Sequence, residues 1–136
     1  MTHAVQALNL VKKFDRLNAV DNISFQVSRG ETFGILGENG AGKSTTMRII
    51  ACRSPLTSGE MFVEGMNVKS DEEKIRSILG VVPQENNLDP DLNVSENLLV
   101  YSKYFRLSKE SAKQRTKELL EFIKLSEKSF AKVDHL

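Results

Sequence analysis

The stretch Gly37-Glu38-Asn39-Gly40-Ala41-Gly42-Lys43-Ser44 limits what this chain can be more than any other feature. It matches G-x-x-x-x-G-K-[ST] at every fixed position, and Thr45 adds a second hydroxyl. A chain of this length meets that pattern by chance in well under about 1% of cases. The run Thr32-Phe33-Gly34-Ile35-Leu36 before it is apolar on both faces and reads as a strand inside a sheet. The run from Lys43 to about Ala51 reads as a helix, so the glycines fall in a strand-to-helix turn.

Phosphate groups need donors that approach closely, and glycine clears side chains from the path. In this reading the backbone N–H groups of residues 40–45 turn inward as an anion nest, and the dipole of the following helix adds favourable potential. Lys43 then bridges the β- and γ-phosphates, and the Ser44 hydroxyl coordinates Mg²⁺. The plain alternative is a left-handed glycine turn with an exposed lysine. The strand before the loop and the helix after it argue against that alternative.

Around the loop, alternating apolar residues from Ala4 to Leu10 and from Ile23 to Val27 read as short strands, as does Glu60 to Gly65. A brief helix is expected over Asp71 to Ser77, a short strand at Val81-Val82 ending in Pro83-Gln84, and a loop from Glu85 to Asn93. Asn93 with Glu96 three residues on forms a capping-box pattern. Val94, Leu98, Tyr101 and Phe105 follow it at helical spacing. Ser108 can cap a second helix with an apolar stripe of Ala112, Thr116, Leu119, Leu120 and Ile123 against Lys109, Lys113, Lys117 and Glu118. Two parts result: residues 1–88, rich in strands, and residues 89–136, helical.

With 19 Lys and Arg against 18 Asp and Glu, 40% hydrophobic and 27% charged residues, the composition suits a globular fold and excludes disorder and collagen. Residues 1–100 carry 10 basic and 13 acidic side chains, and residues 101–136 carry 9 and 5, too modest a field for sequence-independent nucleic-acid binding. Cys52 is alone, and His3 and His135 lie at opposite ends, so no disulfide or metal cluster is expected; Cys52 reads as a small buried hydrophobe. No secretory leader follows Met1, and no apolar run approaches the ~20 residues that cross a bilayer, so a cytoplasmic location is expected. Tyr101, Tyr104 and Phe105 read as core, the three helical lysines as a solvated face, and Asp89 and Asp91 as turn residues.

The run from Gly30 through Thr45, with Thr57-Ser58-Gly59-Glu60 after it, resembles the nucleotide-binding domain of ATP-binding cassette (ABC) transporters along nearly the whole chain. Val82 to Leu88 and Asn93 to Leu98 look like that family's Q-loop and the start of its helical subdomain. The wording Asn87-Leu88-Asp89-Pro90-Asp91-Leu92 is similar to bacterial exporters of drugs, polysaccharides or nodulation-type lipo-oligosaccharides. The resemblance implies an α/β P-loop NTPase fold: a RecA-like core with an antiparallel β-subdomain, then a helical subdomain, here incomplete. It implies ATP and Mg²⁺ as cofactors, with Phe14, Gly37, Asn39, Gly40, Ala41, Gly42, Lys43, Ser44 and Thr45 on the nucleotide. Phe14 by itself reads as a core aromatic at a strand end; the family position makes it the ring that stacks on adenine. Gln84 occupies the Q-loop position that senses Mg²⁺ and the γ-phosphate, so Ser44 and Gln84 are the implied metal contacts. The implied partners are a separate membrane permease and a second copy of the complete subunit, with the protein peripheral at the inner face of the membrane. No nucleic-acid partner is implied.

Hydrolysis also needs a carboxylate that holds Mg²⁺ in the second shell and one that orients water. No apolar run ending Asp-Glu occurs, and the signature beginning Leu-Ser-Gly-Gly, the D-loop and the switch histidine are not found. Leu136 stands where the signature begins, and His135 precedes it, so His135 is not the switch residue. The resemblance therefore implies the first half of such a domain, with no catalytic residue of its own and little or no turnover alone. A non-hydrolysing nucleotide module and a soluble, non-transport ABC ATPase are the alternatives. A missing neighbour strand would leave apolar sheet edge uncovered, so marginal stability or self-association is expected.

Overall fold

The structure, a computed structural model, describes residues 3–84 and 87–135. It divides after Val81 into two compact units, each of which is described by itself.

The first unit is an antiparallel sheet of four strands, β1 (His3–Phe14), β2 (Leu17–Ser28), β3 (Ser58–Val63) and β4 (Met66–Asn67), in the order β2-β1-β3-β4. Two helices accompany it, α1 (Lys43–Ile50) and α2 (Glu72–Ile78). The alternation read in Ala4–Leu10 and Ile23–Val27 extends further at both ends because β1 and β2 form one long hairpin, closed by Phe14 opposite Leu17. Inward residues of the strands, Ala7, Leu10, Val20, Met61 and Val63, form one core with Ile49 of α1 and Ile75 of α2. Cys52 is half-buried against that cluster, and burial raises its thiol above the ordinary cysteine value, followed by the nearby Glu72. Gly59 shows why a glycine opens β3: a Cβ there would lie 2.2 Å from the Asn9 carbonyl oxygen, at φ +84°.

Two expected strands do not form. Thr32–Leu36 and Val81-Val82 join no ladder, and Leu36 and Val82 are each 95% exposed. A strand that is apolar on both faces is stable only between hydrogen-bonding neighbours. Every strand partner among the described residues belongs to the antiparallel sheet, so the sequence pattern of Thr32–Leu36 has no ladder to enter. Phe33 instead stacks on Phe25 of β2, with centroids 5.5 Å apart.

The second unit packs α3 (Val94–Tyr104) against α4 (Lys109–Phe122), followed by single 3₁₀ turns at Ser126–Lys128 and Val133–His135. Both caps read from the sequence are present. Asn93 and Glu96 close a full capping box, and the Ser108 hydroxyl accepts from the Ser111 N–H. Asp89 and Asp91 are turn residues, the Asp91 N–H donating to the Asp89 carboxylate at 2.9 Å. The stripe of α4 is narrower than read: Ala112, Thr116 and Leu120 are buried, while Leu119 and Ile123 are exposed. Tyr101, Tyr104 and Phe105 are not core. They are 38%, 77% and 55% exposed, because the face of α3 that is buried runs through Val94 and Asn97 instead. Residues Glu85 and Asn86 of the expected loop, and Leu136, lie outside the described residues.

Candidate functional site

The glycine loop turns twice through the left-handed region, at Gly40 with φ +84° and at Gly42 with φ +85°. Between them the Ala41 N–H donates to the Glu38 carbonyl at 3.2 Å, which tightens the turn. Gly42 is the N-cap of α1, and its lack of a side chain leaves the helix end uncapped. A Cβ at Gly42 would lie 2.1 Å from the Ala19 carbonyl of β2, so the loop is seated directly on the sheet. That contact and the positive φ together demand glycine.

Helix geometry leaves the first N–H groups of α1 without internal acceptors. Among the described residues the N–H groups of Gly40 and of Gly42 to Thr45 enter no backbone hydrogen bond. The Thr46 N–H and hydroxyl both turn back to the Gly42 carbonyl, at 2.9 and 3.0 Å, and Thr46 is buried. Among the described residues the hydroxyls of its neighbours Ser44 and Thr45 enter no hydrogen bond, and Ser44 is exposed. The Lys43 ammonium folds over the loop and donates to the Gly37 and Glu38 carbonyls, both at 2.7 Å. One short turn thus carries a cation and a run of open N–H donors, the kind of donor set a chain of phosphates requires.

The same donors decide what metal chemistry fits. No cluster of His, Cys, Asp or Glu among the described residues could hold an ion by protein ligands alone. An exposed hydroxyl at Ser44, with no hydrogen bond among the described residues and open N–H donors beside it, fits Mg²⁺ that would arrive with a nucleotide and keep waters and phosphate oxygens as most of its ligands.

Residues 37–45 are therefore brought together as one turn running into the first turn of α1. Phe14 lies at the end of β1 with its ring 47% exposed, so the reading as a core aromatic does not hold. Gln84 is exposed and belongs to the second unit. Sequence reasoning missed Lys12, whose Nζ lies 4.7 Å from the centroid of the Phe14 ring. Its signal was a lysine two positions before an aromatic on one strand, a spacing that puts both on one face. It also missed Asn97, a buried amide in the second unit that accepts from the Asp89 N–H at 2.8 Å and donates to the Asp89, Leu92 and Asn93 carbonyls.

A family model described as ABC transporter matches residues 20–136. This chain belongs to the ABC transporter family. Among curated relatives of this ABC chain, Nod factor export ATP-binding protein I of Burkholderia pseudomallei (strain 1710b) is 45% identical over 125 residues, 92% of this chain and 41% of the relative. Linearmycin resistance ATP-binding protein LnrL of Bacillus subtilis (strain 168) is 39% identical over 130 residues, 96% of this chain and 42% of the relative. The chain thus spans about two-fifths of the length of the curated relatives it matches. A solved ABC structure, the dimeric post-hydrolysis state of the ATP-binding cassette MJ0796 bound to ADP and Pi, superposes with TM-score 0.77 at 28% identity, covering 97% of this chain and 62% of that one. The fold class read from the sequence, a P-loop ABC cassette present in part, agrees with these likenesses. No helix among the described residues is long and apolar enough to cross a membrane.

Proposed function

We propose that this chain binds Mg-ATP as part of an ABC ATPase subunit that energises export through a separate membrane permease. The observation that carries the reading is the loop at residues 37–45, where left-handed glycines, an uncapped helix end and the Lys43 ammonium present positive donors to one small volume. Gly37, Asn39, Gly40, Ala41, Gly42, Lys43, Ser44 and Thr45 hold the phosphates, Ser44 contacts Mg²⁺, and Phe14 stacks on the base. Lys43 neutralises the terminal phosphates, and Mg²⁺ supplies the rest of the charge compensation when bound.

Export follows the printed names of the relatives, and a dimer follows the dimeric cassette that this chain resembles. In the complete subunit, two copies would close over ATP, the protein sitting peripherally on the cytoplasmic side of the membrane through its permease. Residues 1–88 carry the nucleotide loop in this reading, and residues 89–136 begin the helical part.

The test is a titration with ATP, ADP and AMP. Lys43→Ala abolishes binding that depends on the β- and γ-phosphates. Phe14→Ala weakens all three nucleotides about equally, by roughly the 1–3 kcal/mol that base stacking contributes. The reverse pattern overturns both assignments.

A further inference from the structure

Lys12 is buried to 8% exposure near the end of β1, and among the described residues no carboxylate pairs with it. Burial of this kind falls on the aliphatic stem of a lysine while its charged head stays near water. The ammonium lies over the Phe14 ring, 4.7 Å from its centroid. The backbone around Lys12 is built to aim it. The β1–β2 register shifts between Leu10 and Lys12 and again between Lys12 and Lys13, and such shifts bend a strand and redirect its side chains. Thr57 clamps both flanks: its N–H donates to the Val11 carbonyl at 2.8 Å, and its hydroxyl accepts from the Lys13 N–H at 2.9 Å.

Phe14 remains 47% exposed, so the ring face away from the ammonium is the one a ligand can reach. We propose that Lys12 is a positioning residue for the nucleobase: it holds the Phe14 ring from one face and leaves the other as the stacking platform. The proposal deepens the nucleotide-binding reading above and rests on it. The ammonium attracts the ring's π density and restricts its rotation, so less ordering is left to be done when a base arrives. One covered face also limits the site to a single stacked base.

The experiment titrates the 136-residue chain with ATP and with inorganic tripolyphosphate, both with Mg²⁺, in wild type, Lys12→Met and Lys12→Arg. Methionine keeps most of the buried stem and removes the charge; arginine keeps a cation able to stack. Lys12→Met weakens ATP about three- to tenfold, leaves tripolyphosphate unchanged, and Lys12→Arg restores ATP. Unchanged ATP binding in Lys12→Met, an equal loss of both ligands, or an arginine variant as weak as the methionine one overturns the proposal. If thermal unfolding shows that Lys12→Met does not fold, Lys12→Arg decides alone: ATP weakened selectively relative to tripolyphosphate overturns the proposal, and retained ATP affinity supports it. A wild type that binds tripolyphosphate as well as ATP overturns the role of Lys12 but leaves the phosphate loop standing. A wild type that binds neither removes the nucleotide reading and the proposal with it.

Discussion

At the start of α3 the N–H groups of Val94, Ser95, Glu96 and Asn97 donate to the carbonyls of Ala131 and Ser129, the Asn93 side chain and the Asn93 carbonyl, whereas at the start of α1 those of Lys43, Ser44 and Thr45 donate to no acceptor among the described residues. Both helices face the same problem of orphan donors at a positive dipole end. In α3 an asparagine, a glutamate and two returning carbonyls solve it with protein groups. In α1 glycine occupies the N-cap and solves nothing. A closed helix end secures a fold, and an open one seated on a rigid sheet holds donors ready for an anion. The residue at the N-cap, Asn93 or Gly42, separates the two outcomes.

The largest way to break this contrast is Gly42→Ala. Its Cβ would stand 2.1 Å from the Ala19 carbonyl at φ +85°, so the loop must lift off β2. The expected loss is about 3 kcal/mol of stability in the first unit, read by urea unfolding, together with nucleotide binding. Gly40→Ala sharpens the point, because a Cβ there meets nothing within 4 Å. It costs only about 1–2 kcal/mol of backbone strain. Binding should fall further than that stability cost implies, because the methyl group crowds the cradle. Equal effects of the two substitutions on stability would mean that the seat on Ala19 is not what holds the loop.

Next in size is Asn97→Ala, on the closed side of the comparison. Removing an amide with four hydrogen-bonding contacts strands the Asp89 N–H and the Leu92 carbonyl. The expected cost is about 2–3 kcal/mol in the second unit with nucleotide affinity unchanged. Asn93→Ala opens the capping box and costs about 1 kcal/mol, again without effect on binding. A drop in ATP affinity in either variant would show that the closed end is not merely structural.

What the sequence revealed follows the same line. The Asn93 and Ser108 caps and the Asp89-Asp91 turn were legible because their partners lie within three residues. So was the turn at residues 37–42 before α1, whose geometry is dictated by its own glycines. Thr32–Leu36 was misread because an apolar run reports what a segment could bury, not whether neighbours are there to pair with it. Asn97 was hidden because its partners lie in a loop that folds back five to eight residues, and a polar side chain on a helix carries no label for that. Lys12 was missed because its spacing to Phe14 names a shared face of β1 and not the burial of the lysine stem there. Tyr104 and Phe105 show the converse, since helical spacing named a face without naming a partner for it.

A third helix end lies between the two extremes and carries the smallest prediction. Asp71 is the N-cap of α2, yet its carboxylate caps no N–H of that helix; it accepts from the Lys74 ammonium and the Ser70 hydroxyl, both at 2.9 Å. The hydrogen bond from Lys74 first, then that from Ser70, hold its pKa below the ordinary aspartate value. A carboxyl group depressed in the folded state binds protons less readily than in the unfolded chain. Its contribution is therefore complete above the ordinary aspartate range and disappears as pH falls through the folded value. The Lys74 side chain is exposed and that of Asp71 partly so, so salt screens the pair and the effect is small. Comparing wild type with Asp71→Asn by thermal unfolding at low ionic strength should show a slight gap that is flat through neutral pH. It should narrow on acidification below the ordinary aspartate range, and also on addition of salt. A gap that widens on acidification would mean that the carboxylate is tolerated at this helix end rather than held there. Asp71 would then stand beside Gly42, as a helix end left open, and not beside Asn93.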